Sequence, residues 1–541
     1  MYKPLLPFIF AAFCIPSLQA QTLKTGALGK AGETSGWIEF HSSLNLNPKT
    51  VLADYKAEFG LAAEDELLLS RVENDELGMS HYRFQMYREG VKVETGQYMI
   101  HARAGRAETG NGYLPQLPQL STVPAIGADA ARQLALSHMN AQTYMWEQPG
   151  SEAALKHSRK DPAATFYPQP ELVLTDTDFD RDNGSGWVLA WKTDVYAAQP
   201  VSRKWIYIDA ATGKVVKELE TLHLHHPDQV QANATGSAVT RYSGTQTIIT
   251  DQTATGYRLR EAARGLGVDI ETYDLNQSTD FSQAVDFLDD DNVWNNVNTE
   301  FDEAATDAHW GAEMTHDFFL QKFGRSSFDG KGSIMKSYVH YDVAYFNAFW
   351  NGVWMTFGDG NGAPLTSLDV VGHEFAHGVT GNSAELIYAY EPGALNESFS
   401  DIFGNSIEHF ADTTIADWRI GEGFGAFRNM ASPSAFGDPD TYKGSGWVYG
   451  TFDNGGVHIN SGVQNKWYYL LVEGGSGTNN KGEAYQVTGI GWNAAAAIAY
   501  RNLTTYLLSA SQFADAREGA IQAAIDLYGK CSPEYQAVIN A

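Results

Sequence analysis

Residues 369–381 read DVVGHEFAHGVTG, with His373 and His377 four apart and Glu374 directly after the first. Residues four apart project from one helical face. The two imidazoles can therefore hold one ion through neutral ring nitrogens, at about 2.0–2.1 Å for zinc. Glu374 is turned about 100° from His373, so it can reach a water at the metal without ligating the metal, which suits a general base. Taken alone, the pentapeptide also fits a surface helix that carries two histidines. A catalytic zinc wants a third protein ligand and an open fourth position. GALNESFSDIFGNSIEHF (393–410) supplies Glu397, with nineteen residues between it and His377. Glu397 can complete a His₂Glu set. Asp401, four residues on, can accept the second ring N–H of one histidine, and Asn396 can serve the other. The alternative for Glu397 is a solvated helix carboxylate, but the apolar runs around it leave a charge in need of a cation.

These residues need rigid elements to position them. Ala304, Ala308, Ala312 and Phe319 recur at helical spacing within 303–323, and helical segments dominate from 367 onward, including 511–529. Before them, past residue 237, the chain is rich in Gly, Asn and Trp with short strands. A β-rich lobe followed by a helical lobe is an α+β arrangement. Residues 81–102 alternate polar and apolar around Glu89-Gly90, and 203–220 repeat the pattern around Thr212-Gly213, which predicts two β-hairpins. Between them, 127–142 has the spacing of an amphipathic helix. No cluster of His, Cys and carboxylate at catalytic spacing occurs in that half. The His- and polar-rich stretch 223–247 (HLHHPDQVQANATGSAVTRYSGTQT) is read as the boundary; His223, His225 and His226 fit incidental linker histidines better than a metal tract.

At 541 residues the chain exceeds one ordinary domain. Residues 1–20, MYKPLLPFIFAAFCIPSLQA, combine Lys3, an apolar run and small residues before Ala20, the pattern of a secretory signal peptide. Only two cysteines occur. Signal removal takes Cys14 and leaves Cys531 alone, so no internal disulfide can brace the exported chain. Calcium, bound by carboxylate oxygens, is the natural substitute. With 37 Lys and Arg against 65 Asp and Glu, the formal charge of −28 makes nucleic acid and anionic membranes poor partners.

The motifs DVVGHEFAH, GALNESFSDIFG, NAFWNG (347–352), GDPDTY (437–442) and DNGGVHINSG (453–462) resemble, in order, the thermolysin-like family of secreted neutral zinc metalloproteases, of the vibriolysin and pseudolysin type. The resemblance implies a two-lobed zincin catalytic domain with a central zinc-bearing helix. The β-rich lobe would be 231–366 and the helical lobe 367–541, preceded by an α+β propeptide (21–230) made of a propeptide-type module and a PepSY-like module. His373, His377 and Glu397 would bind one catalytic zinc. A zinc-bound water would attack peptide bonds with Glu374 as base, while His458, oriented by Asp453, and Tyr388 donate to the oxyanion. Arg428 would bind a substrate carbonyl on the primed side, and Asn347 and Ala348 would hold the substrate backbone. Leu365, Val370 and Phe427 fall near family positions that line the pocket after the scissile bond; being apolar, they imply cleavage before hydrophobic residues. Asp369, Glu408, Asp417 and Glu422 would form a calcium cage. Arg419 stands where a second calcium would find a carboxylate, so one ion is expected there. DDDN (289–292) is either another calcium site or a solvated acidic loop.

The partners implied are protein and peptide substrates and the chain's own propeptide, as folding assistant and inhibitor. A secreted, extracellular monomer without nucleic-acid or membrane partners is expected, matured by a cut between about His226 and Thr240. The abrupt end PEYQAVINA leaves room for residues beyond Ala541. The competing reading is an inactive zinc- and calcium-binding adhesion module on the same fold. Joint retention of Glu374, His458, Tyr388 and Asp453 argues against it, because binding alone needs none of them.

Overall fold

The computed structural model describes residues 25–541, apart from 33–35, 149–151, 153–154, 157–161, 178–185, 200, 221–232, 296, 299–300, 351 and 415. The signal segment and His223–His226 thus lie outside the described residues, as does the first part of the expected maturation stretch.

Alternation around Glu89-Gly90 does produce a hairpin. Met79–Arg88 pairs antiparallel with Val91–Arg103, and the turn residues take φ of +49° and +80°, the left-handed geometry that lets a two-residue turn follow strand twist. Val201–Asp209 and Val215–Glu220 form the second hairpin. Both join one eleven-stranded sheet. The expected helix between them runs Ala128–Met139 and packs Ala131 and Ala135 against Val195, Ile206 and Ile208 of that sheet.

A five-stranded and a six-stranded sheet follow. In the larger one, Val268–Asp274, Met335–Val339 and Met355–Phe357 run parallel, and Met335–Val339 is buried along its whole length, as a strand covered on both faces must be. Ala348–Trp350 closes this sheet, antiparallel to Met355–Phe357. Helix Glu303–Phe323 crosses it and leads toward two buried helices, Leu368–Gly381 and Tyr390–Ala411. Later helices Gly462–Glu473, Gly491–Arg501, Phe513–Tyr528 and Pro533–Asn540 pack around that pair. The architecture is the α+β, two-lobed arrangement expected.

Glycine sets how closely the central helices cross. A Cβ at Gly404 would overlap the carbonyl oxygen of Asp369 and lie 3.0 Å from His373 N, and one at Gly372 would lie 3.1 Å from Gly404 Cα. Only hydrogen at both positions allows backbone-to-backbone contact here. That contact places the 373–377 and 396–401 side chains opposite each other.

Candidate active site and metal centres

His373 and His377 emerge from Leu368–Gly381, and Glu397 from Tyr390–Ala411, so three donors on two rigid helices face one point. The two Nε2 atoms are 3.1 Å apart, with Glu397 carboxylate oxygens 3.6 Å from His373 Nε2 and 3.3 Å from His377 Nε2. Ligands at about 2.0–2.1 Å around a tetrahedral ion lie about 3.3 Å from one another, so the spacing fits zinc. The outer ring nitrogens are engaged: His373 Nδ1 contacts Asp401 Oδ1 and His377 Nδ1 contacts Asn396 Oδ1, each at 2.8 Å. Donation there leaves both Nε2 lone pairs aimed at the common point. Glu397 Oε2 is buried without a hydrogen-bond partner. Burial opposes a charge on His377, yet Glu397 raises it to about 9; a proton there does what a cation would do better.

Glu374, also buried, turns to the sheet. Its Oε2 accepts from Trp350 N at 2.7 Å, which ties the carboxylate to the last strand of the six-stranded sheet. Asn347 and Ala348 lie on and beside that strand. On the opposite side, Tyr388 Oη hydrogen-bonds Glu397 Oε1 and is 3.1 Å from His458 Nε2. His458 owes its place to an unusual stretch of backbone. The structure places it in Asp453–Asn460, where Asp453, Asn454, Gly455 and Gly456 all take positive φ before the helix proper. A Cβ at Gly455 would collide with the Tyr390 ring. This left-handed run folds Asp453 back, so that Oδ2 caps His458 N at 2.8 Å and Oδ1 meets His458 Nδ1 at 2.7 Å.

Arg428 is near the site but buried and committed. Its Nε and Nη2 bond Asp401 at 2.7 and 2.6 Å, and Nη2 lies 3.8 Å from Glu397. Burial would raise the Asp401 carboxyl, but Arg428 and His373 hold it down to about 2. Leu365 and Val370 are buried in the main core, whereas Phe427 is 40% exposed, with Arg428 over its ring at 4.7 Å. Sequence reasoning missed the Trp350 N–H, and also Asn465, which donates to Asp401, and Ser398, which donates to Asn465. A backbone donor leaves no mark in side-chain patterns, and a lone asparagine in GVQNKW has no signal of its own.

A second group of oxygens meets beneath the zinc helix. Carboxylate atoms of Asp369, Glu408 and Glu422 lie within 4.8 Å of one another, and each residue buries one oxygen without a hydrogen-bond partner. Burial first, then mutual repulsion, pushes the Glu408 and Glu422 carboxyls up, and burial raises Asp369. Two buried carboxylates and a half-buried one, meeting at one point, are the donor set of a hard divalent ion. Asp417, expected among them, is instead held by Arg419, from N at 2.6 Å and Nε at 2.8 Å. Asp417 still adds to the repulsion that raises the Glu408 and Glu422 carboxyls.

The family model for the thermolysin metallopeptidase catalytic domain matches residues 235–381, and that for the thermolysin metallopeptidase alpha-helical domain matches 384–541. Bacillolysin of Brevibacillus brevis is 35% identical over 507 residues, covering 90% of this chain and 86% of that protein. Thermolysin of Bacillus sp. (strain EA1) is 35% identical over 512 residues with the same coverage. The chain belongs to the thermolysin family. It is a zinc metalloendopeptidase, and His373, His377 and Glu397 are the residues that fit that metal. Among solved structures, the precursor of protealysin from Serratia proteamaculans is 32% identical, covering 52% of this chain and 87% of that one, with a TM-score of 0.42.

A fungalysin/thermolysin propeptide motif matches residues 65–112, the strands around the Glu89-Gly90 turn. In this thermolysin-family precursor those strands bind the helical lobe directly. Asn111 Nδ2 donates to Tyr506 O and Arg501 Nη2 to Asp75 Oδ2, both at 2.8 Å, and Ser509 Oγ donates to Gln97 Oε1 at 2.9 Å. Further along the sheet, Val173, Ala190 and Tyr207 share a buried apolar cluster with Ile387 and Ala389, the neighbours of Tyr388. Among the described residues, no helix is long and apolar enough to cross a membrane.

Proposed function

We propose that the chain is exported by residues 1–20 and made as a self-inhibited zymogen. In this reading 21–230 assist folding and block the enzyme, and 231–366 and 367–541 form the catalytic domain. Contact between the propeptide sheet and both neighbours of Tyr388 supports the inhibitory role. The observation that carries the catalytic reading is the convergence of His373, His377 and Glu397 with Glu374 held beside them on the edge strand. When bound, zinc supplies Lewis acidity, which polarises the scissile carbonyl and makes a water more acidic.

The rest of the chemistry belongs to the chain. Substrate extends along Asn347–Ala348 as an added strand. The Trp350 N–H occupies one oxygen of Glu374, leaving the other to take a proton from the attacking water and carry it to the leaving amine. Asp453 only accepts, so it receives Nδ1–H of His458 and favours the imidazolium, which can then donate from Nε2. With the Tyr388 hydroxyl, that gives two donors for the oxyanion. Arg428 receives a substrate carbonyl on the primed side through Nη1, the nitrogen that does not bond Asp401. Asp369, Glu408 and Glu422 hold one calcium ion that steadies the zinc helix.

Leu365, Val370 and Phe427 line the pocket after the scissile bond. Casein digested by the purified enzyme should therefore yield new N-termini dominated by Leu, Ile, Val, Phe and Met, favoured over acidic residues by at least about tenfold. Mass spectrometry of the products reads this directly. New termini spread evenly over residue types would remove the pocket assignment.

A further inference from the structure

Asp401 is the junction behind the zinc ligands, and its four hydrogen bonds come from three parts of the chain. Oδ1 meets His373 Nδ1 at 2.8 Å and Arg428 Nη2 at 2.6 Å. Oδ2 accepts from Arg428 Nε and from Asn465 Nδ2, both at 2.7 Å. Asn465 comes from helix Gly462–Glu473 and is 1% exposed. Its Oδ1 accepts from Ser398 Oγ at 2.7 Å, and Ser398, fully buried, directly follows Glu397. The amide can sit only one way round. An ionised carboxylate accepts and never donates, so the NH₂ must face Asp401 and the oxygen must face the Ser398 hydroxyl.

Arg428 alone cannot fix this carboxylate. It pulls both oxygens toward one planar guanidinium, while His373 needs Oδ1 in line with its own ring. Asn465 holds Oδ2 from another helix, and Ser398 holds Asn465 against the zinc helix pair. We propose that Asn465 is a positioning residue for the peptidase reaction: through Asp401 it sets the ring orientation of the zinc ligand His373 and the placement of Arg428. The proposal rests on the zinc reading given above. The plain alternative is a strut between helices, whose loss costs stability and nothing else.

Asn465→Asp separates the two. The new side chain has the same shape and can still accept from Ser398, but it turns a carboxylate oxygen toward Asp401 in place of a donor. Ser398→Ala removes one hydroxyl and frees Asn465 to turn. Each is made in the full chain, where zinc affinity is measured by competition with a chromophoric chelator alongside Tm, and kcat and KM are read once the propeptide has been cleaved away. Asn465→Asp should weaken zinc binding on the order of tenfold to a hundredfold, the usual range for partners of a metal ligand. It should also lower kcat/KM at saturating zinc, because Arg428 moves with Asp401. Ser398→Ala should shift zinc affinity the same way by about threefold, the loss of one ordinary hydrogen bond. If both variants bind zinc within twofold of the native chain, whatever their Tm, the role is overturned. Should Asn465→Asp fail to fold, unchanged zinc affinity in Ser398→Ala overturns it equally. A native chain that binds no zinc overturns the zinc reading and this proposal together.

Discussion

Replacing Glu374 with glutamine should lower kcat by roughly 10²–10⁴-fold, the usual contribution of a positioned general base, while leaving zinc content and Tm nearly unchanged. The separation between chemistry and structure follows from what Glu374 touches. One of its oxygens accepts the Trp350 N–H, and a glutamine carbonyl can accept that bond in the same rotamer. Its other oxygen is the one available to a proton, and an amide has no comparable basicity. The zinc donors are His373, His377 and Glu397, so the ion stays bound. Steady-state kinetics on a short peptide, with metal analysis of the same sample, measures both quantities. A variant that keeps more than about a tenth of native kcat would show that another group moves the proton.

Calcium removal should have the largest effect on stability. Asp369, Glu408 and Glu422 are brought together on the far side of the helix that carries the zinc histidines, with one unpartnered oxygen each. Without a cation their repulsion acts directly on the Leu368–Gly381 and Tyr390–Ala411 crossing. A ligand present at 100 to 1,000 times its Kd stabilises by about 2.7–4.1 kcal/mol, so a calcium-selective chelator should lower the apparent Tm on the order of 10 °C. The pH dependence has a definite sign. Folded-state carboxyls raised above their unfolded values favour the protonated form, so the metal-free site is least costly at low pH. Stability is lost as pH rises from the ordinary Glu value of 4.5 through the raised folded values. The gap in Tm between calcium-loaded and calcium-free protein should therefore widen from pH 5 to pH 8. A gap that is constant or narrows would place calcium elsewhere. Glu408→Gln, which removes one of the buried charges, should narrow it.

How much of this was legible in the sequence depends on the range of each interaction. His373, Glu374 and His377 lie within a single helical turn and a bit, so their shared geometry is local. Glu397 could be found because one short connection returns the chain to the same place. The Glu89-Gly90 hairpin was legible for the same reason, since turn chemistry and alternation act over neighbouring residues. His458 was not legible locally, because its position depends on four consecutive left-handed residues that fold Asp453 back upon it. Asp417, expected with the calcium carboxylates, bonds Arg419 two residues away and stays outside the tight Asp369, Glu408 and Glu422 group, a pairing that no spacing around those carboxylates reports. Propeptide docking was beyond local reading altogether. Asp75 meets Arg501, Gln97 meets Ser509 and Asn111 meets Tyr506 across some four hundred residues of chain, and no periodicity reports a contact of that range. Asn465 belongs to the same class: nothing around it in sequence announces that its amide reaches Asp401.

The most direct test of the zinc assignment is metal removal and return. Purified active enzyme is stripped with a zinc chelator in the presence of excess calcium, so that the structural site stays filled, and is then titrated with zinc while peptide hydrolysis is followed. Activity should fall to background on stripping and return in proportion to added zinc, reaching its plateau at one equivalent; calcium or magnesium alone should restore none. Hydrolysis that persists in fully zinc-free protein would contradict a centre built from His373, His377 and Glu397.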